Sequence, residues 1–405
     1  MELADIPVFL MLLGIAAYVV LAGADFGSAF WALTARGDDS KEIRQHTHRS
    51  MAPVWEANHV WLIFVLVVFW TAYPEAFGSI FSTLWIPLLL ACIGIIMRAA
   101  SYVVGGVADR RWVSILAAVS SFITPFALGT VVGAIVSGQV PLGNAQGDIF
   151  SSWLNPTSIM IGVMAVTVCA YLAAVYLAGD AKRTGDQKLV EAFRIRGLIS
   201  GVVAGVVAVI GLVVIESDAK NIYEGLTSGA GLVAVAVSAL AGMSTMFFLW
   251  RGRFEWARYC AAGAVVAVVA GWGIAQSPEI LPGLTVDAAA APDNVLIGLI
   301  VSIAIGLLIL IPSLLLLYGL VLGGRFDPGS DEVVETPLGT MSALSAPRRS
   351  RVLPVLALAA VGGALTFVSD SGAPLYIGVA MVLAALACGS VMLAVTLATA
   401  SEATD

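Results

Sequence analysis

Between positions 51 and 62 the chain reads MAPVWEANHVWL, which sets a carboxylate, an amide and an imidazole (Glu56, Asn58 and His59) between Trp55 and Trp61 at the head of a long apolar run. A charged group near the middle of a membrane helix costs roughly 2.5 kcal/mol or more, so such groups face protein, water or a proton route. Glu56 and His59 are three residues apart and share one helical face, with Pro53 suited to the first turn. A carboxylate buried at low dielectric is easier to protonate, which makes Glu56 an expected proton carrier with Asn58 and His59 as hydrogen-bonding neighbours. Trp55 and Trp61 read first as interfacial or packing residues.

Two further ionisable groups fall inside apolar runs. Asp25 sits in LAGADFGSAF, flanked four apart by Gly23 and Gly27. That small-xxx-small spacing admits a close neighbouring helix, which is expected to supply hydrogen bonds to the acid; proton handling and helix packing both remain open for it. Arg98, in IGIIMRAASYVV, needs an anion. Asp25 or Glu56 would make an internal ion pair, the plainer reading, and an acidic group of a partner or its cofactor is the alternative.

Metal chemistry is weakly served. His59 is the one histidine in an apolar run, since His46 and His48 fall in the loop expected at 34–52. No bis-histidine haem clamp can be built from it, and one Glu/His pair is too few ligands for zinc or di-iron. Cys92, Cys169, Cys260 and Cys388 are scattered singly, without a CxxC pair, and read as small buried hydrophobes. No metal site and no catalytic residue is expected in this chain.

The elements that must position these groups are membrane helices. The chain is 60% hydrophobic and 12% charged, against about 45–50% and about 25% in soluble domains. Apolar runs able to cross about 30 Å fall at 8–33, 53–73, 77–104, 111–137, 156–179, 196–215, 229–250, 259–275, 293–321, 352–369 and 375–396. The basic residues test that count of eleven: if the N-terminus is outside, 18 of the 20 Lys and Arg fall in inside loops, the exceptions being Lys220 and Arg98. Such asymmetry is what the positive-inside rule expects, and it gives an N-out, C-in topology. Glu2 and Asp5 stand where a signal peptide would be basic, so the first span is expected to be retained. The net charge of −7 comes without a basic patch for nucleic acid.

The expected architecture is an all-α polytopic membrane protein. Residues 1–137 form a first four-helix bundle and 138–275 a second, with Gly201, Gly205, Gly263 and Gly271 allowing close helix approach. Residues 276–322 form a ninth helix with its preceding outside loop. The polar stretch 323–351 reads as an inside linker, and 352–405 as an accessory helix pair carrying little that ionises beyond Asp370.

GADFG (23–27), APVWEANHVWL (52–62), the buried Arg98, SFITPFALG (121–129), LNP (154–156) and GWGIAQSPEILPG (271–283), in this order, resemble subunit II of the cytochrome bd-type quinol oxidases over about residues 1–325. The family pattern is commonly GFDxG followed by PxWDGNxVWL. Here Ala24 replaces an aromatic, Glu56 an aspartate, Ala57 a glycine and His59 an acid or amide. Glu56 keeps the carboxylate but carries it one methylene further.

The resemblance implies two four-helix bundles plus a peripheral ninth helix. It also implies a haem-bearing subunit I that holds haems b558, b595 and d and the quinol site, with quinol and dioxygen as substrates of the complex in a prokaryotic cell membrane. Small single-span accessory subunits and a structurally bound quinone are left open. On that reading Asp25, Glu56, Asn58 and His59 line a proton entry from the inside face, and Arg98 sets charge near the partner's haem region. A secondary transporter with an intramembrane acidic site, or a purely structural assembly subunit, is the competing expectation.

Overall fold

The computed structural model describes residues 2–36, 40–52, 55–105, 111–322 and 349–368, with scattered positions between 374 and 388. Pro53, Arg110, Asp370, most of the linker and most of the eleventh expected span lie outside the described residues. Residues up to Val321 form one compact unit and the remainder a second.

The first unit is helical almost throughout. In chain order it contains α1 (Asp5–Thr34), α2 (Ser40–Met51), α3 (Trp55–Ala72), α4 (Pro74–Thr83), α5 (Trp85–Gly105), α6 (Arg111–Val136), α7 (Pro156–Arg183), α8 (Gln187–Asp218), α9 (Lys220–Thr227), α10 (Gly229–Trp250) and α11 (Phe254–Gln276). A small antiparallel hairpin follows, β1 (Glu279–Leu281) and β2 (Leu284–Thr285), then α12 (Val286–Ala289) and α13 (Asp293–Leu322). Gly283 turns the hairpin at φ +76°, a region open to glycine at no steric cost. In the second unit α14 (Arg349–Val368) occupies the tenth expected span.

Among the described residues nine helices are long and apolar enough to cross a membrane, and the chain is a multi-pass membrane protein. They coincide with the first nine runs read from the sequence, with two corrections. The run at 77–104 is divided into α4 and α5 around Leu84. Pro87 has no N–H to return to the Thr83 carbonyl, so the helix breaks just before it. The segment 34–52, expected as loop, contains α2, whose Ile43, His46, Thr47 and Met51 are buried. A short amphipathic helix at a bundle end is quieter in hydropathy than a span, which is why composition alone hides it.

Local signals explain the better-defined ends. Asn155 accepts the Ser158 N–H at 2.8 Å with Pro156 opening α7, and Asp186 accepts the Leu189 N–H at 3.1 Å to start α8; both satisfy amides that a helix start leaves free. Lys182 and Arg183 close α7, where cations meet the negative end of the helix dipole.

α1 runs through the middle of the unit and packs on α3, α6, α7 and α11. α5 packs on α6, and α7, α8, α10 and α11 pack among themselves. Of the glycines expected to admit a close neighbour, Gly27 does so most tightly, and Gly133, not singled out by spacing, does so as well. A methyl on Gly27 would overlap the Cys169 backbone of α7, and one on Gly133 would overlap Ser158. Gly201 does face Met246 and Gly271 faces Ala234, but Gly205 and Gly263 look into open space. Glycine spacing marks a helix as able to approach; it does not say which face the neighbour takes.

Candidate functional site

Asp25, four residues beyond Leu21 on α1, is completely buried, and its charge is met from α5. Arg98 reaches it with two arms: Nε donates to Oδ2 at 3.1 Å, and Nη2 donates to Oδ1 at 2.6 Å. The same Nη2 lies 2.8 Å from the Asp25 carbonyl oxygen, 3.0 Å from Ser28 Oγ and 2.7 Å from the Tyr102 hydroxyl. Tyr102 in turn donates its proton to Asp25 Oδ1 in a short hydrogen bond. Arg98 and Tyr102 are four apart on α5 and so share its inward face.

This is a fork-on-fork pair, the strongest geometry available to arginine and carboxylate. Both carboxylate oxygens have donors, and the guanidinium is compensated inside the chain. The glycines beside Asp25 serve a different contact: Gly23 and Gly27 face Cys169, Leu172 and Ala173 of α7, while the donors come from α5. The neighbour admitted by small residues is therefore not the neighbour that satisfies the acid.

Tyr102 is the residue that sequence reading missed. Its ring stacks on Trp55 (centroids 5.3 Å apart, planes 12° apart) and on His48 (5.6 Å, 29°), and Arg98 lies 4.5 Å from its centroid. Its place four residues after the buried arginine was the available signal. His48 lies on α2, outside the spans; burial of one ring face, and next the Arg98 charge, hold its imidazole below the ordinary value, with Asp25 opposing.

The four groups of the WEANH string do not act as one face. Asn58 is buried and donates to the Leu21 carbonyl at 3.3 Å. His59 also turns inward, with Nδ1 3.5 Å from the Tyr18 hydroxyl, while its Nε2 is buried without a hydrogen-bond partner among the described residues. Glu56 is exposed and turns away from them. It heads an outward row continued by Val60, Ile63, Val67 and Trp70, all exposed. The expected Glu56–His59 hydrogen bond is absent among the described residues, because neighbours three apart on a helix are still offset by about 60°, and the boundary of buried surface falls between them. Trp55 is in contact with Tyr102 and His59, and Trp61 packs beside Phe64 and against the cluster that holds Tyr18 and Phe26.

A haem held by this chain alone does not fit these residues. The His59 ring has Tyr18, Phe26 and Trp55 at 5.8, 5.7 and 6.3 Å between centroids, contacts that a porphyrin would have to displace. His46 is committed to the Leu177 carbonyl, 3.0 Å from Nε2. Among the described residues no three His, Cys, Asp or Glu side chains converge on a metal position. Of the cysteines, Cys169 is buried as expected, whereas Cys92 and Cys388 are exposed.

A second acid–arginine pair lies between α7 and α11. Arg258 at the head of α11 donates to Asp180 near the end of α7 through a short hydrogen bond and to the Tyr176 carbonyl at 2.6 Å. Arg183 stands 3.8 Å from Asp180, and Glu255 3.6 Å from Arg258.

Comparison with known proteins places this arrangement in context. The family model for subunit II of the cytochrome bd terminal oxidases matches residues 3–321. The chain is similar to a putative cytochrome bd menaquinol oxidase subunit II of Bacillus subtilis, 24% identical over 215 residues that make up 52% of this chain and 61% of the relative. It is also similar to the cytochrome bd-I ubiquinol oxidase subunit 2 of Escherichia coli K12, 25% identical over 40% of this chain and 44% of the relative. These alignments span between 44% and 61% of those two relatives' lengths. A structure of bd oxidase from Geobacillus thermodenitrificans shares the fold, with a TM-score of 0.64 at 24% identity over 79% of this chain and 98% of that one.

Proposed function

The chain belongs to the cytochrome bd terminal oxidase subunit II family, and from that premise we propose that it is the haem-free half of a quinol:oxygen oxidoreductase. It supports a haem-bearing subunit I in a prokaryotic plasma membrane, where quinol is oxidised and dioxygen reduced to water. In this reading haems b558, b595 and d and the quinol site belong to the partner. The finer topology belongs to the same proposal: an N-terminus outside, a C-terminus inside, and an accessory helix pair beyond the linker to make eleven spans.

The observation that carries it is Glu56. A carboxylate at the head of a row of exposed apolar side chains is costly against lipid, and a partner subunit covering that row would supply it with polar company. Within the complex Glu56 then receives protons from the inside face, with Asn58 and His59 fixing the local hydrogen bonds. Asp25 has a different part. Its oxygens are already engaged by Arg98 and Tyr102, and protonating it would strand a buried guanidinium, so it acts as a fixed anion that ties α1 to α5 beside the route. Arg98, in the same account, sets positive charge toward the partner's haem region through a neutral pair and not as a free cation.

A transporter would be expected to break its helices at the charged site, yet α1 and α5 run unbroken past Asp25 and Arg98. The test is Glu56→Gln in the purified complex, with haem content and quinol-driven oxygen uptake measured together. Uptake reduced at least ten-fold with haem content preserved supports the proton role; uptake at the unmodified rate overturns it.

A further inference from the structure

The end of the second bundle where α7 and α10 finish and α8 and α11 begin is strongly basic. Between Asp180 and Arg196, and between Arg251 and Arg258, it holds eight Lys and Arg against four Asp and Glu. Several of these cations are occupied: Arg258 by Asp180, Arg194 by Glu191 at 3.1 Å and the Trp250 carbonyl at 2.7 Å, and Arg196 over the Trp31 and Phe193 rings. Lys182 and Arg253 are not. Both are exposed, make no ion pair among the described residues, and line an open depression of about 360 Å³ together with Gly252, Phe254, Glu255 and Trp256. Glu255, the one carboxylate of that lining, leans toward Arg258 at 3.6 Å.

Around this depression the apolar surface changes character. Trp250, Trp256 and Tyr259 are exposed (61, 59 and 71%), and the Arg251 guanidinium lies over the Phe247 and Trp250 rings at 5.2 and 5.3 Å. Large amphipathic rings left outward at a helix end are the side chains that sit at headgroup level in a bilayer, with arginine stems lying along them. A pair of unneutralised cations at that level complements a phosphate diester, and basic pockets between membrane helices take anionic lipid headgroups.

We propose that the α10–α11 turn, with the end of α7, is a binding site for the headgroup of an anionic phospholipid. Lys182 and Arg253 contact the phosphate, and Trp256 and Trp250 flank its glycerol and upper acyl chains. Free phosphate has the same charge but cannot use the aromatic flank, so the lipid is the occupant the surface favours.

The test uses the intact complex in mild detergent, titrated with phosphatidylglycerol, phosphatidylcholine or inorganic phosphate and followed by native mass spectrometry. Phosphatidylglycerol is expected to be retained in preference to phosphatidylcholine, and Lys182→Ala with Arg253→Ala to weaken that retention about thirty-fold, roughly five- to six-fold for each cation. Both side chains are exposed and outside the core, so the variant is expected to assemble; Arg253→Lys, which keeps the charge, is expected to retain most of the binding. Equal retention of the two lipids, unchanged retention in the double variant, or displacement by inorganic phosphate at matching concentration would each overturn the proposal, as would a patch buried by the partner subunit that retains no lipid at all.

Discussion

Two helix contacts use the same pairing chemistry at different degrees of burial. In each, an aspartate on the leading helix meets an arginine from another helix: Asp25 with Arg98 from α5, and Asp180 with Arg258 from α11. The first pair is sealed, its side chains 0% and 5% exposed, and Tyr102, Ser28 and the Asp25 carbonyl add further hydrogen bonds to it. The second sits near the end of α7 and the start of α11, 12% and 14% exposed, with Arg183 and Glu255 as loose additional neighbours. Burial decides what such a pair is for. A sealed pair gains little net stability over an apolar packing yet is very costly to half-remove, so it specifies which faces of α1 and α5 meet. A boundary pair is cheaper to form, tolerates substitution and leaves nearby cations free.

Removing one member of each pair is the sharpest way to break this contrast. Arg98→Ala strands a buried carboxylate and is expected to cost about 3–5 kcal/mol, seen as loss of assembled subunit or a large fall in thermal midpoint in detergent. Replacing both members, Asp25→Leu with Arg98→Met, is expected to recover much of that loss, since the penalty belongs to the unpaired charge. A double variant as unstable as the single would mean that the penalty lies in the Tyr102 and Ser28 hydroxyls left without partners and not in the unpaired charge. Arg258→Ala is expected to cost less, about 1.5–3 kcal/mol as a charged hydrogen bond, because water and Arg183 can attend to Asp180. Equal losses at the two pairs would refute the burial argument.

The contact of α1 with α7 offers a middle-sized test. Gly27→Ala drives a methyl into the Cys169 backbone of α7 and is expected to destabilise by about 1–3 kcal/mol through overpacking. Gly263→Ala, on α11 with nothing in reach, is expected to be neutral or to stabilise by up to about 1 kcal/mol, as alanine does in a helix interior. The same thermal measurement separates them.

These sites also show what could be read in advance. Nine spans and the need of Arg98 for an anion follow from apolar runs and the price of a lone charge in lipid, both local properties. What could not be read was rotational. The letters WEANH give spacing, but whether Glu56 or His59 points inward depends on where α1 and α5 lie around α3. Likewise Gly23 and Gly27 announce a close neighbour without telling that it is α7, while the acid's donors come from α5. Tyr102 escaped notice because a tyrosine in an apolar run is unremarkable until Arg98 is known to face Asp25.

The smallest expected effect concerns His48, which the first pair has and the second lacks as a stacked neighbour. One face of its ring is covered by Tyr102, and burial followed by the Arg98 charge lowers its affinity for a proton, with Asp25 partly offsetting them. The folded state therefore binds fewer protons than the unfolded chain once the pH falls below the ordinary histidine value of about 6.5. Stability is then flat above that pH and declines as the pH drops toward the lowered value of the folded state. The ring's exposed edge keeps the slope small, since water screens part of the interaction. His48→Phe preserves the stack and removes the titration. The thermal midpoint of the unmodified protein is expected to fall more than that of His48→Phe between pH 7 and 5, and parallel curves would show that the imidazole does not sense the buried pair. Arg258→Ala in the same background is expected to leave the difference unchanged, because the Asp180–Arg258 pair has no part in it.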